Sequence, residues 1–178
     1  MDYKFKTMPY EHQLKALGAS WNKEAFALFM EMGTGKSKVL IDNIAMLYDK
    51  GKINGALVIA PKGVYRNWEK SEIPTHMPEH VDYHVVTWSP KTTKSNLKQL
   101  SDMFMIKDKL VIFLMNIDAF ATKKGIQIAQ KFLSGFVALM AVDESTTIKS
   151  PTAQRTKNLI KLRQLAKYRR ILTGSPVT

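Results

Sequence analysis

Apolar residues gather in short continuous runs along this chain, with amphipathic stretches between them. The runs Ala25–Met30, Ala56–Ala60, Leu110–Met115 and Phe136–Val142 have the length of strands, and the mixed stretches Tyr83–Thr87 and Tyr168–Thr173 read as two more. Runs without polar alternation suit strands covered on both faces. Helical spacing fills the intervals. Lys36–Tyr48 carries Val39, Leu40, Ile44, Leu47 and Tyr48 on one side, and Gly51 follows as a stop signal. Helices are also expected over Pro9–Leu17, with Leu14 and Leu17 facing inward, and over Val64–Lys70, packing through Tyr65 and Trp68. Further helices are expected at Asn96–Phe104, Gly125–Leu133 and Thr152–Ala166, the last basic and amphipathic, while Pro74 and Pro78 mark an exposed loop. Strands alternating with helices predict an α/β domain with a mainly parallel sheet between helices. Ligands bind such sheets at the C-terminal ends of the strands. The loop before Lys36, Pro61-Lys62, Asn116–Asp118, Asp143-Glu144 and Thr173-Gly174 all fall at such ends. Five polar sites on one rim are more than packing requires.

The stretch Phe26–Ser37, FALFMEMGTGKS, is the sharpest of the five. An apolar strand runs into Gly33-Thr34-Gly35, and Lys36 and Ser37 open a helix, the setting a phosphate-binding loop requires. Glycines let the backbone turn its N–H groups toward an anion, and a helix N-terminus favours negative charge. Lys36 supplies a charge for β- and γ-phosphates, and Ser37 a hydroxyl for Mg²⁺. Met30 holds the place of the first glycine in G-x-x-x-x-G-K-[ST], so a plain glycine turn before a helix remains the alternative.

A bound nucleotide brings a metal, and hydrolysis needs a base. Asp143, after a buried strand, would hold Mg²⁺ directly or through water, and Glu144 would orient and deprotonate the attacking water. The same pair would also suit a turn or a helix cap.

Composition narrows the class. The 178 residues suit one domain, with 45% hydrophobic and 24% charged residues, ordinary for a globular protein. There is no cysteine, which removes disulfides and thiolate metal sites. No apolar run approaches the roughly 18 residues of a membrane span, and MDYKFKTMPY lacks the centre of a signal peptide. A cytoplasmic setting without membrane is the expectation. Lys and Arg number 27 against 15 acidic residues, a formal charge of +12, which points first to phosphate-rich partners and otherwise to a solubilising surface. Lys149, Arg155, Lys157, Lys161, Arg163, Lys167, Arg169 and Arg170 concentrate this charge. They suit either a solvated face or sequence-independent contact with a DNA backbone. His76, His80 and His84 recur every four residues, but Pro78 interrupts any helical metal face.

Pro9-Tyr10-Glu11-His12-Gln13, Glu31–Ser37, Ile59–Lys62, Asp143-Glu144-Ser145-Thr146 with Ile148-Lys149-Ser150, and Leu172–Pro176 follow one another in that order. Together they resemble the first RecA-like lobe of a superfamily-two helicase of the Swi/Snf-like branch, in its compact bacterial or phage form. The similarity covers essentially the whole chain. It implies a RecA-like P-loop NTPase fold using ATP and Mg²⁺, with the nucleotide held by Gln13, Met32, Gly33, Thr34, Gly35, Lys36 and Ser37. Gln13 would read the adenine edge; an exposed helix glutamine is the plainer reading. Lys36, Asp143 and Glu144 would be catalytic, with Ser37 and Asp143 on the metal. The resemblance further implies that Lys62, Asn116 and Lys149 face DNA and that Thr173, Gly174 and Ser175 couple hydrolysis to DNA movement. Thr146 stands where the pattern carries His or Asp, and Ser175 replaces the commoner threonine.

The resulting expectation is an ATP-binding lobe, residues 1–178, of a helicase or translocase that hydrolyses ATP to move on double-stranded DNA. The family pattern includes a second RecA-like lobe with an arginine finger, so a lone lobe should turn over slowly. The alternative is a non-hydrolysing nucleic-acid or protein-binding module on the same scaffold. A small-molecule kinase would explain neither Asp143–Thr146 nor Leu172–Pro176.

Overall fold

The computed structural model describes residues 3–30, 35–143 and 153–174. It forms one six-stranded sheet with spatial order β1-β6-β5-β2-β4-β3, every neighbouring pair parallel. The strands are β1 (Ala25–Phe29), β2 (Gly55–Ala60), β3 (Tyr83–Thr87), β4 (Leu110–Asn116), β5 (Ala138–Asp143) and β6 (Tyr168–Thr173). The helices are α1 (Glu11–Ser20), α2 (Lys36–Asp49), α3 (Tyr65–Asn67), α4 (Ile73–His76), α5 (Lys94–Met105), α6 (Lys123–Gly135) and α7 (Gln154–Leu162).

The apolar runs become strands because both sheet faces are covered. β2, β4 and β5 are buried along their entire length. Alternation sorts their side chains: Ala56, Val58 and Ala60 join Leu40, Ile44 and Leu47 of α2 in one core layer. Leu57 and Ile59 join Phe132 of α6 and Leu159 of α7 in the other. Parallel pairing places all strand C-termini on one rim. Register keeps them level there: Ala60 lies opposite Asn116, Asp143 opposite Leu172 and Phe29 opposite Thr173.

Five expectations need correction. Leu14 is 45% exposed, because α1 turns Gln13 and Leu17 inward instead. The helix begun at Tyr65 does not stop at Lys70. A π turn, Trp68–Glu72, carries it into α4, and Ile73 N donates to Trp68 O, five residues back. Pro74 is therefore helical rather than in a loop. A proline ring collides with the carbonyl four residues back in an α-helix, and a widened turn relieves that collision. Pro78 is buried, not exposed. The segment after α7 tightens into a 3₁₀ turn at Arg163–Leu165, so the basic helix is shorter than expected.

Candidate functional site

Gly35 caps the start of α2 in the left-handed region with φ 83° and ψ 41°. Glycine adopts this conformation without steric penalty. Gln13 packs against it, buried rather than exposed. Its Oε1 accepts from Tyr10 N at 2.8 Å and its Nε2 donates to Gly35 O at 3.4 Å. The Tyr10 ring stays exposed and stacks on His12 with centroids 5.9 Å apart.

Lys36 and Ser37 form the first turn of α2, half-buried. Ser37 Oγ donates to Glu72 Oε2 at 2.8 Å. His76 Nε2 lies 3.7 Å from the same oxygen, and its Nδ1 is 2.8 Å from Thr7 Oγ1. Burial, and then the charge of Lys38, hold the His76 pKa below its ordinary value, against the opposing pull of Glu72 and Asp42.

One turn further along α2, Lys38 and Asp42 form a buried ion pair at 2.7 Å. Tyr3 donates its hydroxyl to Asp42 Oδ1 at 2.6 Å, and the Lys38 ammonium sits 5.2 Å from the Phe5 ring centroid. Burial and the Asp42 charge both raise the Tyr3 phenol pKa, so it stays protonated. The segment before α1 is thus fastened to the helix that opens the loop.

Across the rim, Asp143 ends β5 and is 8% exposed. Trp68 Nε1 donates to its Oδ2 at 3.1 Å. Trp68 and Glu72 are the first and last residues of the π turn, so one turn of helix holds both Ser37 and Asp143. The residues between β1 and the β6 end are joined at the backbone: Met30 N donates to Thr173 O at 3.1 Å. Thr173 is buried and Gly174 follows it, half-buried. Lys62 is exposed just past β2. Asn116 is buried, and its Oδ1 caps the following 3₁₀ turn by accepting from Ala119 N at 2.9 Å. Asp118 Oδ1 accepts from Arg155 Nη1 at 3.0 Å.

The structure therefore brings Gln13, Gly35, Lys36, Ser37, Lys62, Asn116, Asp143, Thr173 and Gly174 to one end of the sheet. Met32, Gly33, Thr34, Glu144, Lys149 and Ser175 lie outside the described residues. Trp68 had only a packing role in the sequence reading, and Glu72 had none. Nothing local separates a glutamate that accepts from Ser37 from any other helical glutamate.

The basic stretch divides. Lys157, Lys161, Arg163 and Lys167 are exposed. Arg170 is not part of that surface: it is 1% exposed and binds Asn43 Oδ1, Ser20 O and Trp21 O at 2.8, 2.7 and 3.3 Å. Burial pushes its pKa down to about 10. In β6 it points to the α1–α2 layer, where carbonyls at the end of α1 need a donor. His80 pairs with Asp49 at 2.7 Å, separately from His76. Among the described residues, no cluster of three metal-ligating side chains occurs, and no helix is long and apolar enough to cross a membrane.

Among solved structures, the fold is similar to the Sulfolobus solfataricus SWI2/SNF2 ATPase core in complex with dsDNA. The TM-score is 0.71 at 22% identity, covering 99% of this chain and 34% of that one. It is also similar to the UvsW helicase of bacteriophage T4, with TM-score 0.67, 14% identity, 95% of this chain and 53% of that one. These likenesses establish a RecA-like α/β fold. Protein CHROMATIN REMODELING 24 of Arabidopsis thaliana is 25% identical over 184 residues, covering 98% of this chain and 16% of that protein. The chain thus spans about a sixth of this curated relative. The SNF2-related domain matches residues 12–178, and with the ordered rim residues above it settles the classification: the chain belongs to the SNF2-related domain family, among the Swi/Snf-like superfamily-two helicase lobes.

Proposed function

We infer that this lobe binds ATP with Mg²⁺ on the Gly35–Ser37 loop and hydrolyses it to move on double-stranded DNA when joined to a second RecA-like lobe. The observation that carries this reading is the shared tether of Ser37 and Asp143 to one π turn, through Glu72 and Trp68. A hydroxyl and a carboxylate are the hard oxygen donors that Mg²⁺ takes. When bound, the metal neutralises charge on the transferring phosphoryl group.

Lys36 pairs with the β- and γ-phosphates, and the first N–H groups of α2 face them. Glu144 takes the proton of the attacking water. Gln13 and the exposed Tyr10 ring serve the base, one by hydrogen bonding and the other by stacking. Lys62, Asn116, Lys149 and the exposed lysines of α7 meet the DNA backbone without reading bases. Asn116 does so through its amide nitrogen, since its oxygen caps the 3₁₀ turn. Thr173, Gly174 and Ser175 join hydrolysis to movement, because Thr173 is bonded to the residue that leads into the loop. The second lobe supplies an arginine finger, whose absence costs about 10³–10⁵ in rate in related phosphoryl-transfer systems.

The test is DNA-stimulated ATP hydrolysis by the lobe joined to a second RecA-like lobe, with Lys36→Ala and Glu144→Gln as controls. Stimulated turnover lost in both variants is expected. No stimulated turnover in the longer protein would instead favour a binding module that does not hydrolyse ATP.

A further inference from the structure

We propose that Glu72 is a positioning residue for the metal-side hydroxyl of Ser37. The inference rests on the nucleotide reading above and adds a residue to it.

A serine hydroxyl has one proton and two lone pairs. To give a lone pair to a cation it must send the proton elsewhere. Glu72 Oε2, 2.8 Å from Ser37 Oγ, is the acceptor that fixes this orientation. The carboxylate is itself held, with His76 Nε2 3.7 Å away and its side chain 29% exposed. Ligands to metals are commonly oriented by such outer partners, and removing the partner costs about 10–100-fold in metal affinity.

Glu72 is the last residue of the π turn, four residues after Trp68. In a regular α-helix each residue advances about 100°. The bond from Ile73 N to Trp68 O spans five residues instead of four, which shifts the phase of everything after it. Residues four apart share one side of a helix, and there Trp68 reaches Asp143 and Glu72 reaches Ser37. Single π turns inside helices occur frequently at functional sites.

The test measures binding of a fluorescent ATP analogue to this chain, with Mg²⁺ and with EDTA, for wild type, Glu72→Gln, Glu72→Ala and Glu72→Leu. Gln keeps an acceptor oxygen; Leu keeps the volume without one, and guards against misfolding of the Ala variant. The expected result is about a 10–100-fold weaker Mg²⁺ dependence in the Ala and Leu variants. Their affinity in EDTA should match wild type, and Gln should restore most of the loss. Ala and Leu variants that keep the full Mg²⁺ gain would overturn the proposal. Equal losses with and without Mg²⁺ would overturn it too, showing that Glu72 only packs α4 against α2. Wild type that binds no nucleotide under either condition would overturn the ATP reading itself, and this inference with it.

Discussion

Gln13 fills the space that a side chain on Gly35 would need. A Cβ built at Gly35 collides with Gln13 Nε2, and Gly35 already lies at φ 83°. Gly35→Ala therefore meets two separate obstacles. The left-handed backbone costs about 1–2 kcal/mol for an L-residue, and the Gln13 amide must move as well. Urea unfolding should show that loss. Adding Gln13→Ala should recover the collision part and leave the backbone part.

Lys38 and Asp42 make the opposite kind of pair, charged and enclosed. Removing one partner strands the other, which costs about 3–5 kcal/mol. Asp42→Ala should destabilise the domain by about that amount in denaturant unfolding. Replacing both with apolar residues, Lys38→Met with Asp42→Leu, should be far milder. Tyr3→Phe should cost about 1–3 kcal/mol, because Asp42 Oδ1 loses a donor inside the protein.

Arg170 separates structure from nucleic-acid binding. Arg170→Met leaves Asn43 Oδ1 without its donor, while Ser20 O and Trp21 O keep Lys23 N and Asn43 Nδ2, a loss of about 1–3 kcal/mol. Its effect on the salt dependence of DNA binding should be nil. Lys157→Ala and Lys161→Ala should leave stability nearly unchanged. Each should lower the salt slope by about 0.9 if it meets a phosphate. Weaker DNA binding by a fully stable Arg170 variant would contradict this division.

His76 gives the domain a pH dependence with a definite sign. Its folded pKa lies below the ordinary value of 6.5, so the unfolded chain takes up the proton more readily. The contribution is complete above about pH 6.5 and is lost as pH falls through that value toward the folded pKa. Unfolding followed between about pH 5 and 8 should show stability falling on the acid side. His76→Gln should flatten that limb while keeping a hydrogen-bonding group near Thr7.

Strands were the most legible part of the sequence, because a parallel sheet buried on both faces leaves runs such as Leu110–Met115 with no polar interruption. The rim was legible for the same reason: once strands are placed in parallel, their C-terminal residues share an end. The face of α1 was not, since Gln13 is buried by its contact with Gly35 and Leu14 is left outward. Arg170 reads as surface in any window of sequence, and its burial is explained by Asn43 Oδ1 and the carbonyls of Ser20 and Trp21, 127 to 150 positions away. The π turn was hidden as well. Pro74 is visible, but the partner that Trp68 finds at the start of that turn, Asp143, lies 75 positions along the chain.

The most direct measurement is a crystal structure of this chain with a non-hydrolysable ATP analogue and Mn²⁺ in place of Mg²⁺, the metal located by anomalous scattering. The account predicts the ion about 2.1–2.2 Å from Ser37 Oγ, with Asp143 bound directly or through one water, and phosphates against the Gly35–Lys36 backbone. An ion near Ser37 with Asp143 and Glu144 both roughly 10 Å or more away, beyond the reach of a bridging water, would contradict it.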